Sequence, residues 1–554
     1  MIKYKFLVIV FFLVYAVHAQ VTNKGVPKSW QLAYKKSSTP VVMKPFNLKQ
    51  VQKEDAANDL DKSQPWRFGY EHKVNLGLNN SGDWDVLPDG SRIWRINIIS
   101  KGAKTLNFVF NTYKIPRGAT IYLYNNDRSD LLGAYTNIFN GPDEMVGTWL
   151  VEGENVWIEY HEPKAVKGQG KLNISKVVHG YRTFTTKEIE EKGLNDSGDC
   201  NVDVNCPIGD DYSELKDQLK KAVGLMLVND SGFCTGTLIN NTNNDKAPYF
   251  LTAKHCSGNE SRWVFRFNWI SVNTVCATTD SSISNGANNF YQTTNGARVL
   301  ATNSKSDFEL VEITGGLDER WDLEWAGWDN SDDTPNFAVG IHHPNGDIMK
   351  VCRENSTLTK LEEVLIGRIP DPVDSWEVQD WDIGVTEGGS SGSALFDTNG
   401  RIVGQLAGGG AACNGTNDNN LPDYYGRFAV SWDFGTTDST RLSNWLDPSN
   451  TGKETLDMLS IEITGGGIPP VEEDEVLVFF KVSEALVEIS NGANKILDYS
   501  VYDIAGREIT SGRLLRNDKT IDLKDRASGM YFIYFTDTSN GSSFTKKVII
   551  NQRF

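Results

Sequence analysis

Peptide hydrolysis without a metal needs a nucleophile, a base to take its proton and a carboxylate to hold that base. The run Thr386-Glu387-Gly388-Gly389-Ser390-Ser391-Gly392-Ser393-Ala394 offers the nucleophile. A Gly-x-Ser-Gly turn bends sharply enough to expose the Ser391 oxygen. It can also aim the N–H groups of Gly389 and Ser391 at one point, where an oxyanion would develop. On composition alone the same run is an ordinary Gly/Ser-rich loop.

The base comes by elimination, because the cysteine-bearing middle of the chain holds only His255, His342 and His343. His255 ends an apolar strand-like run, YFLTAKHC (249–256). Cys256 follows it and Cys234 lies upstream, so a disulfide there would fix the loop that carries the imidazole. His342 and His343 precede the turn Pro344-Asn345-Gly346 and read as a structural pair. They could ligate a metal, but adjacent side chains point apart and no carboxylate spacing completes a site. For the orienting carboxylate, Asp307 opens the alternating strand FELVEI (308–313). Asp318, Asp322 and Asp329 are rivals on composition.

These residues need a β scaffold, and the chain supplies one. It has 554 residues, with 15 Trp and 50 Gly, a mix that favours strands and turns. That length calls for several folded units. A formal charge of −17 argues against a nucleic-acid partner. Residues 1–19 read as a secretory signal: Lys3 and Lys5, an apolar run from Phe6 to Val17, then a small-residue site ending at Ala19. A secreted chain meets oxidising conditions, in which cysteines pair. All 7 cysteines fall between Cys200 and Cys413, so one thiol is left over.

The organisation expected is a signal (1–19), a propeptide (20–192), a catalytic unit (193–457), a linker (458–475) and a small β domain (476–554). Residues 20–64 read as a loose arm. Short alternating runs with turn signals make a β-sandwich of about 66–165. A charged stretch, Thr186–Gly193, separates it from the catalytic unit. Arg441–Asp447 reads as a short helix, and Gly465–Asp474 as a linker by composition.

The order His255, Asp307, Ser391, with Thr-Ala-x-His-Cys and Gly-x-Ser-Gly around the first and last, resembles the chymotrypsin-like serine peptidases. More narrowly, residues 195–455 resemble the bacterial lysyl endopeptidases. The matching words include CNVDVNCP (200–207), CTGTLINNT (234–242), SDFELVEI (306–313), IHHPNG (341–346), GVTEGGSSGS (384–393), VGQLAGG (403–409) and YYGRFAVSW (424–432). The resemblance implies an all-β fold, a double β-barrel with the site between barrels. It implies the disulfides Cys200–Cys413, Cys206–Cys276 and Cys234–Cys256, with Cys352 unpaired. It also implies a substrate pocket holding Thr386, Gly408, Gly409 and Asp423, the last at its base.

Trypsins place a pocket Asp where this chain has Val385. Asp423, before Tyr424-Tyr425-Gly426-Arg427, matches the lysyl endopeptidase solution instead, and cleavage after Lys is the activity implied. The competing readings are Arg or mixed basic specificity, or an inactive homologue that binds. The chain departs from the family at Ala407, where an imidazole is common, so strictness for Lys over Arg is not implied. Ser390 stands where trypsins carry the Asp that pairs with a freed N-terminus, so activation takes another route. Cleavage after Lys192 would suit an enzyme that processes itself.

The β-rich segment 66–165 resembles the propeptide of such peptidases, which assists folding and blocks the cleft. The tail, with YSVYDIAGREI (499–509) and SGMYFIYF (528–535), resembles the sorting domain of type IX secretion substrates. Protein substrates and the outer-membrane secretion machinery are the partners implied. The location implied is outside the cell. No cofactor or metal is expected.

Overall fold

The computed structural model describes residues 25–31, 38–183, 197–274, 276, 285–287, 292–460, 476–481, 486–491, 496–503, 507–514, 520–523, 529–538 and 543–550. The signal segment, the charged stretch with Lys192-Gly193, and the Gly465–Asp474 linker lie outside them. The chain divides into two compact units, Met1–Ile463 and Thr464–Phe554.

Within the first unit, two sheets form the N-terminal sandwich. One is built around Arg92–Ile99, Asn155–Glu162 and Thr120–Asn125; the other joins Thr105–Lys114, Lys171–Gly180 and Gly69–Gly77. Trp94, Ile96, Phe108, Phe110, Ile158 and Val177 fill the space between them. Its strands therefore extend to Gly180, past the expected edge. The segment read as a loose arm contains a helix, Leu48–Asn58. Asn47 caps it by accepting from the Gln50 N–H at 3.2 Å. It buries only Val51 and Asp55, so it has no apolar stripe to betray it. Polar contacts hold it instead. Arg67 Nε donates to Asp55 Oδ1 at 2.7 Å, and the Tyr181 hydroxyl donates to Asp55 Oδ2 at 2.7 Å.

The catalytic region is two largely antiparallel sheets, an all-β arrangement. The first contains Val223–Val228, Gly232–Leu238, Tyr249–Ala253 and Phe308–Ile313; the second contains Ala394–Phe396, Arg401–Gly409 and Asp423–Arg427. Val223–Val228 is buried on both faces, and that is why it reads as a continuous apolar run. Met226 and Val228 point into the catalytic core. Leu225 and Leu227, on the opposite face, join the core of the sandwich together with Phe233, Val264 and Ile348. The N-terminal sandwich and the first catalytic sheet share that core.

The register of one strand pair sets the site. Ala253, at the end of Tyr249–Ala253, lies opposite Phe308, the first residue of its partner strand. The residues just outside those ends, His255 and Asp307, are brought side by side. The second sheet supplies Ser391 from the turn before Ala394. The Thr235 N–H of the first sheet donates to the Ser391 carbonyl at 2.8 Å, tying the turn across the junction.

In the second unit, Leu497–Asp503 lies between Glu508–Leu514 and Gly529–Asp537, and Ser543–Ile550 pairs with the outer side of the latter. Val487, Leu497, Val501, Ile521, Ile533 and Phe535 make its own core.

Candidate active site

Asp307 occupies the left-handed region, φ +54°, which short acidic side chains tolerate better than most. In that conformation its carbonyl accepts the Lys254 N–H at 2.7 Å. Its carboxylate then serves His255 twice. Oδ1 accepts the His255 backbone N–H at 3.0 Å, and Oδ2 lies 2.7 Å from His255 Nδ1. The buried carboxylate thus fixes both the backbone and the ring, and favours the tautomer with the proton on Nδ1. The rivals lie elsewhere: Asp318 caps the short turn Glu319–Trp321, and Asp329 binds Ser331.

Two glycines set the shape of this neighbourhood. Gly389 takes φ +89°, and an added Cβ would come within 3.0 Å of the Asn345 nitrogen and the His343 carbonyl. Gly426 sits against Ser306, the neighbour of Asp307: a Cβ there would lie 1.8 Å from the Ser306 oxygen. Gln405 Nε2 donates to that same oxygen at 2.5 Å.

His342 and His343 are fully buried. His342 Nδ1 lies 2.8 Å from the Ser390 hydroxyl, and His343 Nδ1 lies 2.9 Å from the Asp347 carbonyl. Burial pushes both imidazoles down, His343 to about 3, so both are neutral. Ser390 is therefore held by His342, in the place where trypsins use an acidic side chain and an N-terminus. Among the described residues no group of three or more His, Cys, Asp or Glu gathers to hold a metal.

Disulfides join Cys200 to Cys413, Cys206 to Cys276 and Cys234 to Cys256. The last pins the His255 loop to the strand that contacts Ser391. Cys352 is a buried free thiol, and burial pushes its pKa well up.

The pocket is occupied by the chain itself. Lys62, in the segment read as a loose arm, inserts its ammonium against Asp423 Oδ1. Thr386 Oγ1 accepts from it at 2.7 Å and the Ala411 carbonyl at 2.8 Å. Asp423 Oδ2 accepts the Thr386 hydroxyl at 2.6 Å and the Trp381 indole N–H at 3.0 Å. Gly409 pairs with Asp423 across the strands. A Cβ on Gly409 would come within 2.4 Å of Asp423 Oδ1, so only glycine leaves room for the ammonium. Gly408 borders Ser63 instead. Above the pocket, Ser391 Oγ donates to the Lys62 carbonyl at 2.5 Å.

With His255 and Asp307 paired and Ser391 over an acidic pocket, the comparisons with known proteins take on weight. Residues 194–426 match the family described as lysyl endopeptidase, C-terminal domain. The catalytic unit is thus similar to the lysyl endopeptidases over the segment that carries His255, Asp307 and Ser391. Residues 483–551 match the secretion system C-terminal sorting domain. The lysyl endopeptidase of Pseudomonas aeruginosa (strain PAO1) is 28% identical over 373 residues, covering 63% of this chain and 75% of that protein. Among solved structures, that of Deg5 aligns with 40% of this chain and 90% of its own, at 13% identity and a TM-score of 0.25. The protein is a serine endopeptidase, and it is exported by the route its sorting domain serves.

Sequence reasoning missed Lys62, Trp381 and Ala411. Trp381 and Ala411 stand outside the motif words, and Ala411 acts through its carbonyl, which no residue type reports. Lys62 is one basic residue among 55.

Proposed function

We propose that this endopeptidase cuts peptide bonds on the C-terminal side of Lys, with Ser391 as nucleophile, His255 as base and Asp307 as the carboxylate that orients it. The observation that carries the reading is the Lys62 ammonium in the Asp423 pocket. An ammonium is a compact charge with three donors. Asp423 Oδ1, Thr386 Oγ1 and the Ala411 carbonyl offer it three close acceptors, and the Thr386 carbonyl lies farther off at 3.4 Å. A guanidinium binds carboxylates best through two parallel N–H groups. Here Oδ2 is already taken by Thr386 and Trp381, so Asp423 presents one oxygen and the pocket favours Lys over Arg.

In the reaction, Nε2 of His255 takes the Ser391 proton as Oγ attacks the carbonyl carbon after the bound Lys. Asp307 stabilises the imidazolium that forms. The N–H groups of Gly389 and Ser391 receive the oxyanion. His255 then protonates the leaving amine, and the acyl-enzyme is hydrolysed by water activated at the same Nε2.

Chromogenic peptides ending in Lys, Arg or Glu test the reading. Ser391→Ala is expected to lower kcat by roughly 10⁴-fold or more. Asp423→Ala is expected to remove the preference for basic residues, and activity that survives Ser391→Ala would defeat the mechanism.

A further inference from the structure

The manner in which Lys62 sits is not that of a bond about to be cut. Ser391 Oγ gives its proton to the Lys62 carbonyl, and His255 Nε2, the atom that should receive it, is buried with no partner among the described residues. Neither the Gly389 nor the Ser391 N–H donates to that carbonyl among the described residues. Cleavage needs the reverse: the hydroxyl on the imidazole and the carbonyl oxygen on the backbone donors.

The chain beyond Lys62 explains the misfit. It folds back over a single residue. Ser63 donates to Asp61 Oδ1 twice, from its N–H at 3.0 Å and its hydroxyl at 2.5 Å. The Arg368 N–H then donates to the Ser63 hydroxyl at 2.7 Å, and the Arg368 guanidinium reaches Gln64 at 3.1 Å and Asn58 at 3.0 Å. Both flanks are anchored. Asp59 is bound by Arg182, whose guanidinium lies 4.0 Å above the Trp66 ring. Trp66 and Arg67 pair with Phe233 and Gly232 as an added strand on the catalytic sheet. A cut at Lys62–Ser63 would leave both new ends in place, poised to rejoin.

We propose that Asp59–Arg67 is a pseudosubstrate loop. It fills the Lys pocket, diverts the Ser391 hydroxyl from His255, and keeps the Lys62–Ser63 bond intact, so the precursor is silenced by its own lysine and the cut that frees the enzyme falls elsewhere. This rests on the catalytic reading above and adds to it which ligand the precursor's site holds.

The test uses the full chain and a fluorophosphonate, which reacts with an active-site serine whatever the pocket prefers. Labelling is followed on the full-length and mature bands of one gel, with intact-mass measurement of the first cut. A loop bound with high occupancy lowers the rate by the fraction of free sites, so Lys62→Ala should label the full-length band about tenfold or more faster than wild type. Lys62→Met, which keeps the aliphatic stem, gives the same reading should the alanine variant not accumulate. Equal rates in wild type and the Lys62 variant that accumulates overturn the proposal. So does a wild-type chain whose first cut lies between Lys62 and Ser63. A mature band that fails to label overturns the loop together with the catalytic reading, and so separates the two failures.

Discussion

Trp381 shares one oxygen of Asp423 with Thr386, and under the function proposed above that sharing decides which cation fits. Trp381→Phe keeps an aromatic wall but withdraws a donor from Oδ2, freeing it for a second N–H of a guanidinium. One hydrogen bond to a charged group is worth about 1.5–3 kcal/mol. The ratio of kcat/KM for Lys over Arg substrates should therefore fall by roughly tenfold. An unchanged ratio would mean that Oδ2 does not limit Arg. Glu309 makes a different case. It sits two residues past Asp307, and its carboxyl is pushed up to about 8, first by burial and then by the charges of Glu260 and Asp307, against the Ser257 hydroxyl. Oε1 has no partner. The folded chain keeps a proton that the unfolded chain gives up in the ordinary carboxylate range, so stability falls as pH rises from that range through about 8. Glu309→Gln stays neutral, and should flatten that slope and stabilise the fold at pH 8 by about 1–3 kcal/mol. Thermal unfolding at a series of pH values reads this directly; a variant that melts earlier at pH 8 contradicts it. The residues that carry the motif words were legible because their chemistry needs fixed neighbours in sequence. Lys62 was not, since its meaning comes from a contact 361 residues away.

At the scale of elements, the pairing of Tyr249–Ala253 with Phe308–Ile313 delivers His255 to Asp307, and Gly426 on Asp423–Arg427 keeps that edge in place. Gly426→Ala puts a methyl where the Ser306 oxygen stands, so Ser306 and Asp307 must move. A displacement near 1 Å at a catalytic group costs about 10²-fold. The expected result is that order of loss in kcat with little change in KM, since the pocket itself keeps its walls. A KM effect alone would place the strain at Asp423 instead. The strands were readable because alternating or continuous apolar runs name their faces. The helix Leu48–Asn58 was not: it buries one apolar residue and is held by Arg67 and Tyr181 through Asp55, contacts with no periodicity.

For the whole molecule, the sandwich and the tail make separate cases. The sandwich shares a core with the catalytic unit, through Leu225, Leu227 and Phe233. Removing the sandwich would bare those side chains, at about 25 cal/mol per Å² of apolar surface. The tail is another matter. Its core comes from its own strands, and the first compact unit ends at Ile463. A chain ending at Ile463 therefore loses no buried side chain of the first unit and should fold and mature as before. Its serine endopeptidase activity per molecule should stay within about twofold of the full chain, as for a separable domain. What it loses is the sorting domain, residues 483–551. In the native host, activity should vanish from the medium and appear in the cell fraction, with no shift in the melting temperature of the catalytic unit. Normal activity in the medium would remove the sorting role from the tail. A truncated chain that aggregates would show instead that the tail contributes to folding the first unit, against the division of cores.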